Sequence, residues 1–80
     1  MRLDKFLKVS RIIKRRTIAN EACDAGRITV NGRNAKASYN VNVGDKVEVE
    51  LGNRKIKFKV IKVNECIKKE EAQSMYEMID

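Results

Sequence analysis

MRLDKFLKVSRIIKRRTIANEACDAGRITVNGRNAK, residues 1–36, is the stretch whose reading decides the fold. It holds ten of the chain's eighteen Lys and Arg residues against three acids, and it closes on a tight-turn signal. Leu3, Phe6 and Leu7 recur at i, i+3 and i+4, the spacing of one helical face, while Arg2, Lys5 and Lys8 fall on the other. Ile12 and Ile13 extend the apolar contact, and Arg11, Lys14, Arg15 and Arg16 surround them with charge. Thr17 then stands as N-cap of a second helix over residues 18–25, its hydroxyl accepting from the amides that open it. Asn20 occupies the place where a capping box would carry Glu or Gln.

The second helix is expected to bury Ile18, Ala19, Ala22, Cys23 and Ala25 and to expose Asn20, Glu21 and Asp24. Its basic charge lies ahead of its N-terminus, where free backbone amides already favour a phosphate. Gly26 suits the left-handed position that ends helices. Ile28, Thr29 and Val30 alternate as a short strand, Asn31-Gly32 supplies a two-residue turn in which both positions need positive φ, and residues 33–36 return as the partner strand.

Outward from this head, residues 37–43 read as an irregular connection and Val43-Gly44-Asp45 as a turn. Val47, Val49 and Leu51 alternate with Lys46, Glu48 and Glu50, the pattern of a half-buried strand. Gly52-Asn53 marks a second hairpin, after which Ile56, Phe58 and Val60 face one way and Lys55, Lys57 and Lys59 the other; the lysine row is expected to protect a sheet edge. The apolar parity shifts at Ile61 and Val63, which ends regular pairing. Ala72, Met75, Tyr76 and Ile79 fit i, i+3, i+4 and i+7, so residues 68–79 are expected to form an amphipathic helix. The fold class is α+β, with two short helices, a small antiparallel sheet and a C-terminal helix; residues 1–63 form the binding domain and residues 64–80 a helical extension packed on or beside it.

Eighty residues allow one domain with a modest core, since a chain of this size buries only about 60% of its unfolded surface. The net charge of +7 points to a polyanion, and its distribution sharpens the point. Residues 1–40 carry ten cations against three acids, residues 41–63 six against three, and residues 64–80 two against five. Histidine is absent and the two cysteines, Cys23 and Cys66, stand far apart, so a zinc site lacks ligands; Cys23 reads as a small core residue. No apolar run approaches the ~20 residues of a membrane span, and charged residues interrupt any signal-peptide pattern, so the chain is expected to be cytoplasmic, reduced and free of membrane. No nucleophile elbow, triad or phosphate loop is present, which argues against an enzyme and calls for no cofactor.

The run RRTIANEACDAGRITVNG, preceded by RLDKFLKVS and followed by VNVGDKVEV, resembles the RNA-binding domain named after ribosomal protein S-four, also called the alpha-L RNA-binding motif. The resemblance covers residues 1 to about 51. A free-standing chain beginning MRLDKFLKVSRIIKRRT is most similar to the bacterial RqcP (YabO) group, relatives of the fifteen-kilodalton heat-shock RNA-binding protein. Many members carry Ser or Thr where this chain has Arg15.

Charge and spacing nominate Arg2, Lys5, Arg15, Arg16 and Thr17 as the main RNA surface, with Lys8, Arg11 and Lys14 as further backbone contacts. Arg27, Asn31, Lys36, Ser38 and Tyr39 lie on or after the hairpin, where Tyr39 either stacks on a base or packs into the core. Asp4 either serves the dipole as a first-turn acid or orients Arg2 or Arg16. The resemblance implies more: association with an obstructed large ribosomal subunit, contact with large-subunit rRNA and peptidyl-tRNA, and support of C-terminal alanine tailing beside a tRNA-recruiting tailing factor, by a monomer. A heat-shock-type factor that recycles subunits, and a protein-interaction adaptor acting through the C-terminal helix, are the alternatives.

Overall fold

A computed structural model describes residues 1–65 and 67–79; Cys66 lies outside the described residues. Helix α1 spans Leu3–Val9 and helix α2 Arg16–Asp24, followed by strands β1 (Ile28–Val30), β2 (Arg33–Asn34), β3 (Lys46–Leu51) and β4 (Arg54–Val60), a 3-10 helix (Lys69–Met75) and strand β5 (Tyr76–Met78). The strands form one sheet in the order β2-β1-β3-β4-β5, each neighbouring pair antiparallel.

The α+β class stands, and the local periodicities explain it. Leu3, Phe6 and Leu7 are fully buried along one side of α1, and Ala19, Ala22 and Cys23 at i, i+3 and i+4 form the inner stripe of α2. Both stripes pack on the sheet face built by Ile28, Val30, Val47, Val49, Phe58 and Val60. The Phe58 ring stacks on Phe6 at 6.1 Å between centroids and meets Tyr76 edge-on at 5.5 Å, so one side chain links helix, sheet and C-terminal strand.

Asn31 and Gly32 both adopt positive φ, at 53° and 83°, and close the β1–β2 hairpin with Val30 opposite Arg33. Gly26, at φ 74°, sits just past α2; its amide donates to Cys23 O and that of Arg27 to Ala22 O, a paired closure of the helix end.

Four expectations need correction. First, α2 begins at Arg16 and is capped by Arg15 in an extended conformation, so Thr17 lies inside the first turn and does not cap. A tertiary pull explains the earlier start: Arg16 and Asn20, one turn apart, both reach Asp4 only if both are helical. Second, Ile18 is 45% exposed because it lies about 100° round the helix from Ala19, at the edge of the buried stripe, and Ala25 is exposed because it follows Asp24, the last helical residue. Third, the lysine row guards an edge only in part, since β5 pairs with β4 from Phe58 to Val60 and so covers Lys59, while Lys55 and Lys57 lie on the stretch of β4 before that pairing. Lys55 and Lys57 also reach Glu48 on β3, at 2.7 and 3.9 Å. Fourth, the C-terminal segment is a 3-10 helix that ends at Met75 and turns into β5, rather than one helix over residues 68–79. Ala72 and Met75 align at i and i+3 and bury as expected, but the open backbone groups of β4 claim the residues that follow. The partner strand of the first hairpin is likewise shorter than residues 33–36.

Candidate nucleic-acid interface

The start of the chain is pinned as an extended segment before it becomes helix. Leu3 N donates to Tyr39 O at 2.8 Å, Asp4 N to Ala37 O at 3.2 Å and Val41 N to Met1 O at 2.9 Å, with Arg2 bridged to Asn40. The loop read as irregular therefore satisfies the opening amides of α1 and fixes where Arg2 and Asp4 emerge. It also carries Ser38, which is exposed, as is Lys36 just before the loop.

Asp4 is 2% exposed and is the hub of the surface. Its Oδ1 accepts from Lys5 N at 2.8 Å and Arg2 Nε at 3.2 Å; its Oδ2 accepts from Asn20 Nδ2 at 3.3 Å and faces Arg2 Nη2 and Arg16 Nε, both at 3.4 Å. Burial alone pushes this carboxyl up, but the hydrogen bonds from Asn20, Arg16 and the Lys5 amide, with the Arg16 charge, outweigh it and hold it below its ordinary 3.8. Both arginine side chains remain about half exposed, at 50% and 46%, so their outer guanidinium nitrogens face solvent. Two guanidinium forks held on one carboxylate with their outer nitrogens open have the geometry to take an oxyanion.

Because the folded carboxyl is depressed, its contribution to stability is present above about pH 3.8 and is lost as pH falls through the lower folded value. In urea melts, the wild-type advantage over Asp4→Asn is expected to be full at about pH 5 and to shrink markedly by about pH 2.5. A constant difference across that window contradicts the assignment.

Of the other nominated residues, Lys5 is engaged with Glu65 at 2.8 Å, an exposed pair that solvent and salt screen. Lys8, Arg11 and Lys14 line a second recess with Val9, Glu65 and Ile67. Arg15 is exposed at the N-cap of α2, which no side chain caps. Arg27 follows the opposite end of α2 and is not brought to this surface. Asn31 and Tyr39 are committed elsewhere: Asp45, 8% exposed, accepts from Asn31 Nδ2 and Tyr39 Oη at 3.1 Å and from Asn42 N at 2.9 Å, while Asn31 Oδ1 accepts from Lys46 N at 3.0 Å. Burial first, then the hydrogen bond to Asp45 and its charge, raise the Tyr39 hydroxyl's pKa. Tyr39 packs partly against the core.

The sequence reading treated Asn20 and Glu21 as a bland outer face. Asn20 is half-buried on Asp4, and Glu21 lines the same recess as Arg2, Arg16 and Thr17. The Arg16–Asn20 and Thr17–Glu21 spacings of four residues were the available signal.

Residues 1–47, more than half of the chain, match the S4 domain. The chain belongs to the S4 domain family. Within it, the protein is 56% identical over 79 residues, 99% of this chain and 90% of the other, to the RQC P-site tRNA stabilizing factor of Streptococcus pneumoniae. It is 52% identical over 79 residues to the Bacillus subtilis factor of the same name, covering 99% of this chain and 92% of that one. Among solved structures, trimeric Heat Shock Protein 15 of Vibrio cholerae superposes with a TM-score of 0.91 at 29% identity, over 99% of this chain and 81% of that one. The S4 domain and the names of these relatives mark an RNA-binding protein. Both tRNA stabilizing factors are named for holding an RNA rather than for a reaction.

Arg11 adopts a left-handed backbone, φ 64°, directly after the buried Ser10 that caps α1. A non-glycine residue there costs on the order of 1 kcal/mol that glycine avoids. Arg11→Gly is expected to raise Tm by a few degrees in thermal denaturation while weakening RNA binding severalfold. A variant both less stable and equally tight in binding contradicts a binding role for Arg11.

Proposed function

We propose that this protein acts in ribosome quality control, binding an obstructed large ribosomal subunit through its helical face and contacting both large-subunit rRNA and peptidyl-tRNA. The observation that carries the RNA part is the convergence of Arg2 and Arg16 on the buried carboxylate of Asp4. Exposed arginines held this way read backbone position and shape, the mode suited to folded RNA. Arg15, Lys8, Arg11 and Lys14 extend the cationic track, Lys5 joins when it leaves Glu65, and Lys36 and Ser38 supply a flank. The names of the two tRNA stabilizing factors support the ribosomal setting.

In this reading the protein supports C-terminal alanine tailing of the stalled nascent chain beside a tRNA-recruiting tailing factor, in the cytoplasm. Residues 1–63 carry the RNA contacts, and residues 64–80 complete the sheet behind them. The protein works as a monomer; the trimeric state of the Vibrio protein sets the contrary outcome, which sedimentation at micromolar concentration distinguishes.

The test is to isolate the tagged protein from bacterial lysate and probe the co-purifying particles. Large subunits carrying peptidyl-tRNA, and loss of alanine tails on stalled chains when the gene is deleted, are the expected results. Co-purification of large subunits without peptidyl-tRNA, with tailing intact, points instead to heat-shock-type subunit recycling.

A further inference from the structure

We propose that the recess between the start of α1 and the first turns of α2 is a ribonucleotide subsite: Arg2 and Arg16 hold a phosphate, and Thr17 and Glu21 take the 2′-hydroxyl of the adjoining ribose. The inference rests on the RNA-binding reading above and adds to it a means of telling RNA from DNA.

The recess has a volume of about 450 Å³ and is lined by Arg2, Asp4, Arg16, Thr17, Asn20 and Glu21. Sorting its polar atoms shows which remain available. Asp4 is saturated, with both oxygens accepting from the arginines, Asn20 and the Lys5 amide. Arg16 turns only its Nε towards Asp4, and Arg2 its Nε and Nη2, so the remaining guanidinium hydrogens point away from the carboxylate and form the donor side. The acceptor side is separate. Asn20 spends its amide nitrogen on Asp4 and keeps its carbonyl oxygen, while the exposed side chains of Thr17 and Glu21 hold no hydrogen bond or ion pair among the described residues.

A receptor for phosphate alone has no use for these acceptors, and a carboxylate at its rim repels the ligand. Donors and acceptors together match a ligand that carries an anion and, within one sugar's reach, a hydroxyl that donates. The ribose 2′-hydroxyl both donates and accepts, and it neighbours every phosphate whatever the sequence. Thr17 and Glu21 lie four residues apart, one above the other on α2, so a hydroxyl between them is held from two sides. A base amine would satisfy the same acceptors, but only at particular bases.

The experiment measures the affinity of the full chain for one RNA hairpin, the same hairpin with 2′-fluoro sugars, and the DNA of the same sequence. The 2′-fluoro form keeps RNA-like sugar geometry without a donor. The unaltered protein is expected to prefer the RNA over the fluoro form by ~3-fold or more, at least about 0.6 kcal/mol, within the range of one hydrogen bond. Thr17→Val and Glu21→Ala are expected to bring that ratio near one, while Arg16→Ala weakens all three ligands together. Both substituted side chains are exposed, and unchanged circular dichroism checks the fold.

A ratio unmoved by both substitutions overturns the ribose assignment, as does equal tightening on RNA and DNA after Glu21→Ala, which is the mark of simple repulsion. A change in base preference without a change in the ratio also overturns it, in favour of a base amine. If the unaltered protein binds none of the three in dilute salt, the RNA-binding reading itself fails.

Discussion

Replacing Arg16 by Ala is expected to lower affinity for structured RNA by one to two orders of magnitude, about 1.5–3 kcal/mol, the range for a hydrogen bond to a charged group. The slope of log affinity against log salt should flatten by roughly one unit, one phosphate contact's worth. The size follows from geometry: Arg16 spends one nitrogen on Asp4 and presents the rest of a rigid fork at 46% exposure. Arg16→Lys should fall between wild type and Ala, since it keeps the charge and loses the fork. Removing a cation on the outer face of the sheet, as in Lys59→Ala, should cost far less, and equal losses for Arg16→Ala and Lys59→Ala in a filter-binding titration would refute the surface. Deleting residues 65–80 does not serve as a control, because Met75 is fully buried and Ala72 is 1% exposed, so the deletion opens the core.

Phe58→Ala is expected to be the most damaging single change to stability, at about 3–5 kcal/mol. For a domain of this size each kcal/mol shifts Tm by roughly 4–8 °C, so thermal denaturation should show a fall of tens of degrees or no cooperative transition. Phe58 is fully buried, and its ring is the shared contact of Phe6 on α1 and Tyr76 on β5, so its loss leaves a cavity bounded by three elements that cannot all collapse together. Met78→Ala, on the same strand pairing but 57% exposed, should change stability by no more than about 0.5 kcal/mol. A mild Phe58→Ala would mean that the C-terminal strand contributes little to the core.

The contrast between these two positions shows what local pattern can and cannot convey. The apolar triplet Leu3, Phe6 and Leu7, the Asn31-Gly32 turn and the alternation through Val47, Val49, Phe58 and Val60 were all legible, because each is set by the repeat of its own element. The start of α2 was not, since it is decided by Asp4, more than ten residues away, drawing Arg16 and Asn20 to one side. Residues 76–78 carry spacing that suits a helix equally well, and only the vacant flank of β4 decides for a strand. The nominated arginines Arg2 and Arg16 do meet, but Asn31 and Tyr39, chosen for their place on the hairpin, spend their polar atoms on Asp45.

That last arrangement gives chemical ageing a focal point. Asparagine followed by glycine is the dipeptide most prone to lose ammonia, and Asn31 is followed by Gly32. Attack of the Gly32 nitrogen on the side-chain amide carbon expels ammonia, and water opens the resulting succinimide to a carboxylate, so the Nδ2 donor now 3.1 Å from an Asp45 oxygen is lost and a negative charge is gained beside it. The hairpin tip at Asn31 and the connection that carries Tyr39 and Asn42 all hang on that one carboxylate, so a single deamidation would loosen two loops at once. Old preparations should therefore lose heat resistance before they lose the arginine surface, which lies at the other end of the same pinned segment.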